Sequence, residues 1–156
     1  MTESLATCNT LPATTSEYLE KLCAVEQKVR EMKQIIVQTE HVLHAGMYAR
    51  TVRLEANVLI VGVLIKRPTM LVVHGYAQVF AGDRWYSIEG YNVIPASAGR
   101  KQMYVTSQPT EITMLFPTKA KTVEEAEAEF TDEAEGLISR KSDNDLIVIT
   151  GDLCQE

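Results

Sequence analysis

The sequence is poor in cysteine, and none of its cysteines is placed to work with another. Cys8, Cys23 and Cys154 are odd in number and far apart. That leaves neither a CxxC pair nor a disulfide framework, and a reducing compartment is the simpler expectation. No apolar run approaches the roughly 20 residues that a membrane-spanning helix needs. The opening residues, Met1 to Ser4, lack the basic and apolar regions of a secretory signal. Basic charge is short as well. Fifteen Lys and Arg stand against 21 Asp and Glu, for a net charge of −6. No basic face dominates, so a nucleic-acid partner bound through counterion release is not expected, and neither is a membrane. What is present suits one soluble domain: 156 residues, 46% of them hydrophobic and 23% charged, enough for one core with extensions.

The centre of the chain, residues 46–116, reads as a set of short strands. Asn57 to Ile65 and Met70 to Val73 are rich in aliphatic and β-branched residues. Tyr76 to Phe80 alternates, Ala81-Gly-Asp-Arg84 reads as a hairpin turn, and Trp85 to Ile88 returns. Met103 to Ser107 and Glu111 to Phe116 complete the set. Strands with turn signals at this spacing predict an antiparallel barrel or sandwich.

Extensions flank this centre. Residues 1–13 are expected to form a mobile arm. Thr14-Thr-Ser-Glu17 supplies N-cap hydroxyls and a capping-box carboxylate for a helix running to about Gln38. Leu22, Val25, Val29, Met32 and Ile36 form one apolar stripe on it, suited either to its own barrel or to another copy or partner. Thr39 to Met47 reads as a connector, with His41 and His44 as loop histidines and His74 in a turn. After the barrel, 118–140 is expected to hold a helix opened by the capping box Thr122-Val-Glu-Glu125, with an acidic outer face. Residues 141–156 are a polar linker and a short apolar strand, Leu146 to Thr150. That strand can close its own sheet edge or add to a neighbour's.

The segment Gly46-Met-Tyr-Ala-Arg50, with Gly62, Lys66, Gly75 and the loop Pro95 to Lys101, resembles the small cupin-like proteins of tailed bacteriophages and prophages. The resemblance covers about residues 34–138. It implies a mainly β fold, an antiparallel cupin-like jelly-roll barrel with an N-terminal amphipathic helix and a C-terminal acidic helix, and it implies oligomers. Metal-binding cupins carry histidines and a carboxylate in two barrel motifs. Here the positions similar to those ligand sites hold Ile65, Pro68 and Thr69 in the first motif and Lys101 or Gln102 in the second. Aliphatic side chains and proline offer a cation no lone pair, and a protonated lysine repels one. No metal or other cofactor is therefore expected.

Metal-free catalysis would need an acid and a base within reach of each other. Tyr48, Tyr76, Tyr86, Tyr91 and Tyr104 are candidate acids, but no His–carboxylate pair stands on the central strands, and Ser97 and the cysteines have no evident base. A cluster of cations remains: Arg50, Arg53, Lys66, Arg67, Arg100 and Lys101. Jelly-roll topology would bring the 66–67 turn and the 100–101 loop together. Arg50, Lys66, Arg67, Arg100 and Lys101 are thus the candidate ligand- or partner-binding residues, with Arg100 and Lys101 projecting from a short exposed loop.

The function expected is that of a non-catalytic interaction module, associated with a virion or with other phage structural proteins, homo-oligomeric, in host cytoplasm during infection or in the virion. The alternative is a cupin that binds or transforms a small anionic or sugar ligand. Cations converging inside a concave pocket would favour the alternative, and a filled barrel with exposed apolar stripes would favour the first.

Overall fold

The computed structural model describes residues 3–4, 10–141 and 145–150. The chain is mainly β. In order it forms β1 (Glu3–Ser4), α1 (Ser16–Glu31), β2 (Gln38–His44), β3 (Met47–Leu54), β4 (Leu59–Val61), β5 (Thr69–Ala81), β6 (Arg84–Ala96), β7 (Met103–Thr106), β8 (Thr110–Pro117), α2 (Val123–Phe130) and β9 (Asp145–Ile149). Two short 3-10 turns, Ala134–Gly136 and Ile138–Lys141, lie between α2 and β9. The sheet order is β1-β6-β5-β8-β3-β2-β9, with β7 joining β4 to β5. Every pairing is antiparallel except β1 with β6 and β2 with β9. The expected mainly β, largely antiparallel barrel, with one helix before it and one after, is the architecture that forms. Among the described residues, no helix is long and apolar enough to cross a membrane.

Strand alternation builds the core. β5 buries Leu71, Val73, Ala77 and Val79 and turns Met70, His74, Tyr76 and Gln78 outward. Its hairpin partner β6 continues through Ala96 as a 13-residue strand, well past the expected Trp85 to Ile88. The turn between them stands as read, with Gly82 at φ +68°, a left-handed conformation that glycine adopts without a steric cost.

Several expected elements differ, among them α2, which ends at Phe130 and gives way to 3-10 turns instead of running toward residue 140. The first helix, α1, stops at Glu31, not near Gln38. Gln34 folds its side-chain amide back to donate to the carbonyls of Val29 and Met32, which satisfies the helix end. The β-branched run Ile35-Ile36-Val37 then continues extended. The expected connector at 39–47 is instead mostly strand β2, antiparallel to β3, and it buries His41 at 1% exposure. Nor is the N-terminal arm mobile over its described part. Leu11 is fully buried, its N–H donates to Pro95 O at 2.9 Å, and its carbonyl accepts from Ser97 N–H at 2.9 Å.

The helices dock as their caps require. Thr15 caps α1 by accepting from Tyr18 N–H, and Thr122 caps α2 by accepting from Glu125 N–H. The Tyr18 ring packs 5.2 Å from the Phe80 ring, and Leu22 is buried, so the first half of the apolar stripe lies on its own barrel. The far end does not. Met32 is 66% and Ile36 78% exposed. β9 pairs parallel with β2 and closes the chain's own sheet edge.

Candidate functional site

The 97–102 loop sits at the junction of three segments. Ile65 N–H donates to Arg100 O, and Gly99 N–H to Ile65 O, each at 2.8 Å. On the other side Thr14 N–H donates to Gly99 O, while the Thr14 hydroxyl donates to Lys101 O and accepts from Lys101 N–H. Gly99 takes φ +75°, and beyond it successive side chains alternate. Arg100, Gln102 and Tyr104 turn into the barrel, while Lys101 turns the opposite way, under α1.

This overturns the expectation of an exposed basic loop. Arg100 is 1% exposed and Lys101 0%. The 66–67 turn and the 100–101 loop do meet, through the Ile65–Arg100 bridge, but their side chains diverge. Lys66 ion-pairs with Asp132 at 2.7 Å. Arg67 pairs with Glu129 at 2.9 Å and lies over the Phe116 ring at 4.3 Å. Lys101 Nζ lies 2.8 Å from Glu26 of α1 and 3.9 Å from Glu133. Three of the five candidate cations are therefore answered by carboxylates of this chain. Arg50, on the inner face of β3, joins Arg100 in lining the barrel cavity.

That cavity holds about 130 Å³, close to the ~150 Å³ of an engineered apolar cavity that admits benzene. Its walls are largely aliphatic and aromatic, among them Val63, Leu71, Ile112, Met114, Phe130 and Leu137. Arg100 enters this apolar space with only neutral acceptors. Its Nη1 donates to Ser97 O at 2.8 Å and Arg67 O at 3.4 Å, and its Nη2 donates to Thr69 Oγ1 at 2.5 Å, with Met114 Sδ 3.8 Å away. Its Nε–H has no partner. Burial pushes the Arg100 pKa down to about 10, because a guanidinium removed from water is disfavoured when no anion faces it.

Gln102 is a further polar group of the cavity, beside Arg50 and Arg100. Its Oε1 accepts from the Tyr104 hydroxyl at 2.9 Å, and its Nε2 has no hydrogen-bond partner. Burial raises the Tyr104 pKa, so the phenol stays a donor and keeps the amide carbonyl toward itself. The sequence alone did not single out Gln102 as a binding group, and it offered Tyr104 as a candidate acid that could also line the mouth of the site. Their signal was parity, since from Gly99 onward every second residue must face inward.

The histidines take places away from this cavity. His41 Nδ1 lies 2.8 Å from the buried Tyr48 hydroxyl, and neither residue lines the cavity. His44 is exposed beside Thr150, and His74 lies on the outer face of β5, its ring 6.1 Å from that of Tyr91. Among the described residues, no group of three or more His, Cys, Asp and Glu side chains gathers where it could hold a metal ion. Ile65 and Gln102, at positions similar to cupin ligand sites, line the cavity, while Thr69 serves Arg100.

No family model matches the sequence. No curated protein matches it either. Solved structures do resemble the fold. A cupin superfamily protein from Desulfitobacterium hafniense is 9% identical, with a TM-score of 0.46 over 57% of this chain and 84% of that one. KdgF from Halomonas sp. is 16% identical, with a TM-score of 0.46 over 58% of this chain and 87% of that one. The cupin domain of an XRE family transcriptional regulator from Enterobacter cloacae is 12% identical, with a TM-score of 0.45 over 53% of this chain and 99% of that one.

Proposed function

We propose that this chain is a metal-free, non-catalytic binding protein whose barrel cavity takes a small anion. The supporting observation is Arg100: a cation 1% exposed, in an apolar cavity, hydrogen-bonded only to neutral acceptors. A charge buried in this way is costly unless something of opposite sign accompanies it. Ser97, Arg67 and Thr69 hold the cation in place through neutral acceptors, and Arg50 adds a second cation to the lining. Titration of the full chain with a panel of organic and inorganic anions, read by calorimetry and thermal unfolding, tests the reading. At least one anion should saturate and raise the unfolding temperature, and Arg100→Met should abolish its binding. A panel without any saturating anion would overturn it.

A second reading has its own support. On the outer face of the β5–β6 hairpin, Tyr91 is 67%, Val93 54% and Met70 43% exposed, and Leu146 to Ile149 of β9 are each at least 40% exposed. Apolar surface of this kind suits a phage-encoded module that assembles with its own copies or with other phage structural proteins, in host cytoplasm or in the virion. Sedimentation of the full chain should then show more than a monomer, and Val93→Asp or Ile147→Asp should shift it toward monomer. A wild-type monomer at high concentration would remove this reading.

A further inference from the structure

We infer that the ligand of the barrel cavity is a monocarboxylate with a compact apolar tail, its carboxylate seated on the Arg100 Nε–H and the Gln102 side-chain amide. The inference rests on the reading of the cavity as an anion site and narrows it to one chemical class.

Donor counting selects the head group. A guanidinium has five N–H donors. Four of Arg100's are directed at Ser97 O, Arg67 O, Thr69 Oγ1 and Met114 Sδ, the last a weak acceptor. The Nε–H is left without a partner, and Nη2, on the same edge of the guanidinium, has sulfur as one of its two acceptors. This edge can hold a carboxylate through two parallel hydrogen bonds. Gln102 adds two unpartnered amide hydrogens on Nε2, with its carbonyl already engaged by Tyr104. The free polar groups of this pair are thus all donors, and they suit a ligand end that only accepts.

Charge and size select the rest. A carboxylate has about four lone-pair sites, which this handful of N–H groups can nearly satisfy. A phosphate dianion, or a sugar acid with its ring hydroxyls, would bring many more polar sites into walls made of Leu71, Ile112, Met114, Phe130 and their neighbours. Those sites would be left without partners, at a cost of roughly 1–3 kcal/mol each. A cavity of about 130 Å³ admits a tail near the size of a benzene ring.

The probes are sodium benzoate, its neutral isostere benzamide, inorganic phosphate and glucuronate, titrated into the full chain at neutral pH. Benzoate should saturate one site per chain and bind at least tenfold more tightly than benzamide. Phosphate and glucuronate should neither bind nor displace benzoate. Gln102→Glu supplies the missing carboxylate from within the chain while leaving an acceptor for the Tyr104 hydroxyl. It should raise the unfolding temperature of the free protein and weaken benzoate at least tenfold. Saturation by phosphate or glucuronate without benzoate would overturn the monocarboxylate and leave the anion site standing. Equal affinity for benzoate and benzamide would remove the role of the charge. Failure of every anion in this set and in the wider panel would remove both.

Discussion

Arg100 and Lys101 are neighbours in the chain, carry the same charge and are equally hidden from water, yet the regions they enter treat them oppositely. At the seam between barrel and α1, Lys101 meets Glu26, which is itself bonded by Arg30 at 2.8 Å, and Glu133, whose other contact is the Leu64 N–H. Inside the barrel, Arg100 meets two carbonyls, a hydroxyl and a sulfur. The first sets the charge against two carboxylates, one of them on α1, although Lys101 Nζ makes no well-aligned hydrogen bond to either. The second sets its charge among neutral acceptors alone. Burial by itself does not separate a structural cation from a binding one. The partners do.

The strongest way to break the contrast is to reverse both charges. Arg100→Glu with Lys101→Glu looks harmless if the loop is an exposed rim. With both side chains buried, it instead places one carboxylate among aliphatic side chains and another against Glu26 and Glu133. Breaking one buried pair alone costs about 3–5 kcal/mol, and a domain has only about 5–15 kcal/mol to lose. The double variant should show no cooperative urea transition by circular dichroism. A transition within about 1 kcal/mol of the wild type, a typical surface-mutation scale, would restore the exposed-loop picture.

Lys101→Met tests the seam alone. Stability should fall by about 3 kcal/mol, the lower end for a broken buried pair, since Arg30 still answers Glu26. Lys101→Met combined with Glu26→Gln should cost less than the sum of the two, with a coupling of about 1–3 kcal/mol in urea unfolding. Additivity would mean that the pair is incidental.

The two regions should also respond at opposite ends of the pH scale. Burial pushes Glu26 upward, but Lys101 and then Arg30 outweigh it and hold its carboxyl below the ordinary value of 4.5. In that window the unfolded chain binds the proton first, so the stability Glu26 contributes is full above 4.5 and is lost as pH falls through the lowered pKa. Glu26→Gln should flatten that acid limb. Arg100 is depressed to about 10 from an ordinary 12.5. Between those values the unfolded state holds a proton that the folded state releases, so stability should rise with pH there, and Arg100→Met should remove the rise. Urea midpoints against pH for the three proteins measure both. Slopes unchanged in the variants would show that neither group is coupled to folding as its surroundings imply.

Tyr104→Phe is the smallest change and the one that sharpens the comparison most. It removes a single neutral hydrogen bond, worth about 1 kcal/mol, and frees the Gln102 amide to rotate. Benzoate should weaken a few-fold while Lys101 and the helix seam are untouched. An unchanged affinity would mean that Tyr104 does not orient the site.

Much of the scaffold was legible in the residues. The hairpin at Gly82, the two threonine-capped helices and the alternation of the central strands follow from local preferences that tertiary contacts did not override. The end of α1 and the strand at β2 were less legible. There a side-chain cap from Gln34 and pairing with β3 decided between alternatives that Ile35-Ile36-Val37 and the histidine-bearing stretch left open. The candidate site was half legible: Arg50 and Arg100 do line one cavity, while Lys66, Arg67 and Lys101 are taken up by carboxylates of this chain. Those carboxylates, Asp132, Glu129 and Glu26, lie 66, 62 and 75 residues away from their cations, and no local pattern announces a pair so distant.

By itself the sequence determined the class of the molecule: mainly β, acidic overall, with one helix before the strands and one after. Those properties depend on composition and on patterns a few residues long. Only the tertiary structure decided which cations are consumed and which is kept, because a buried charge is stabilised by whatever the fold brings within about 4 Å of it. Gly99 and the strand pairings around it turn Arg100 inward and Lys101 outward. That one alternation sets Lys101 against carboxylates and Arg100 among neutral acceptors.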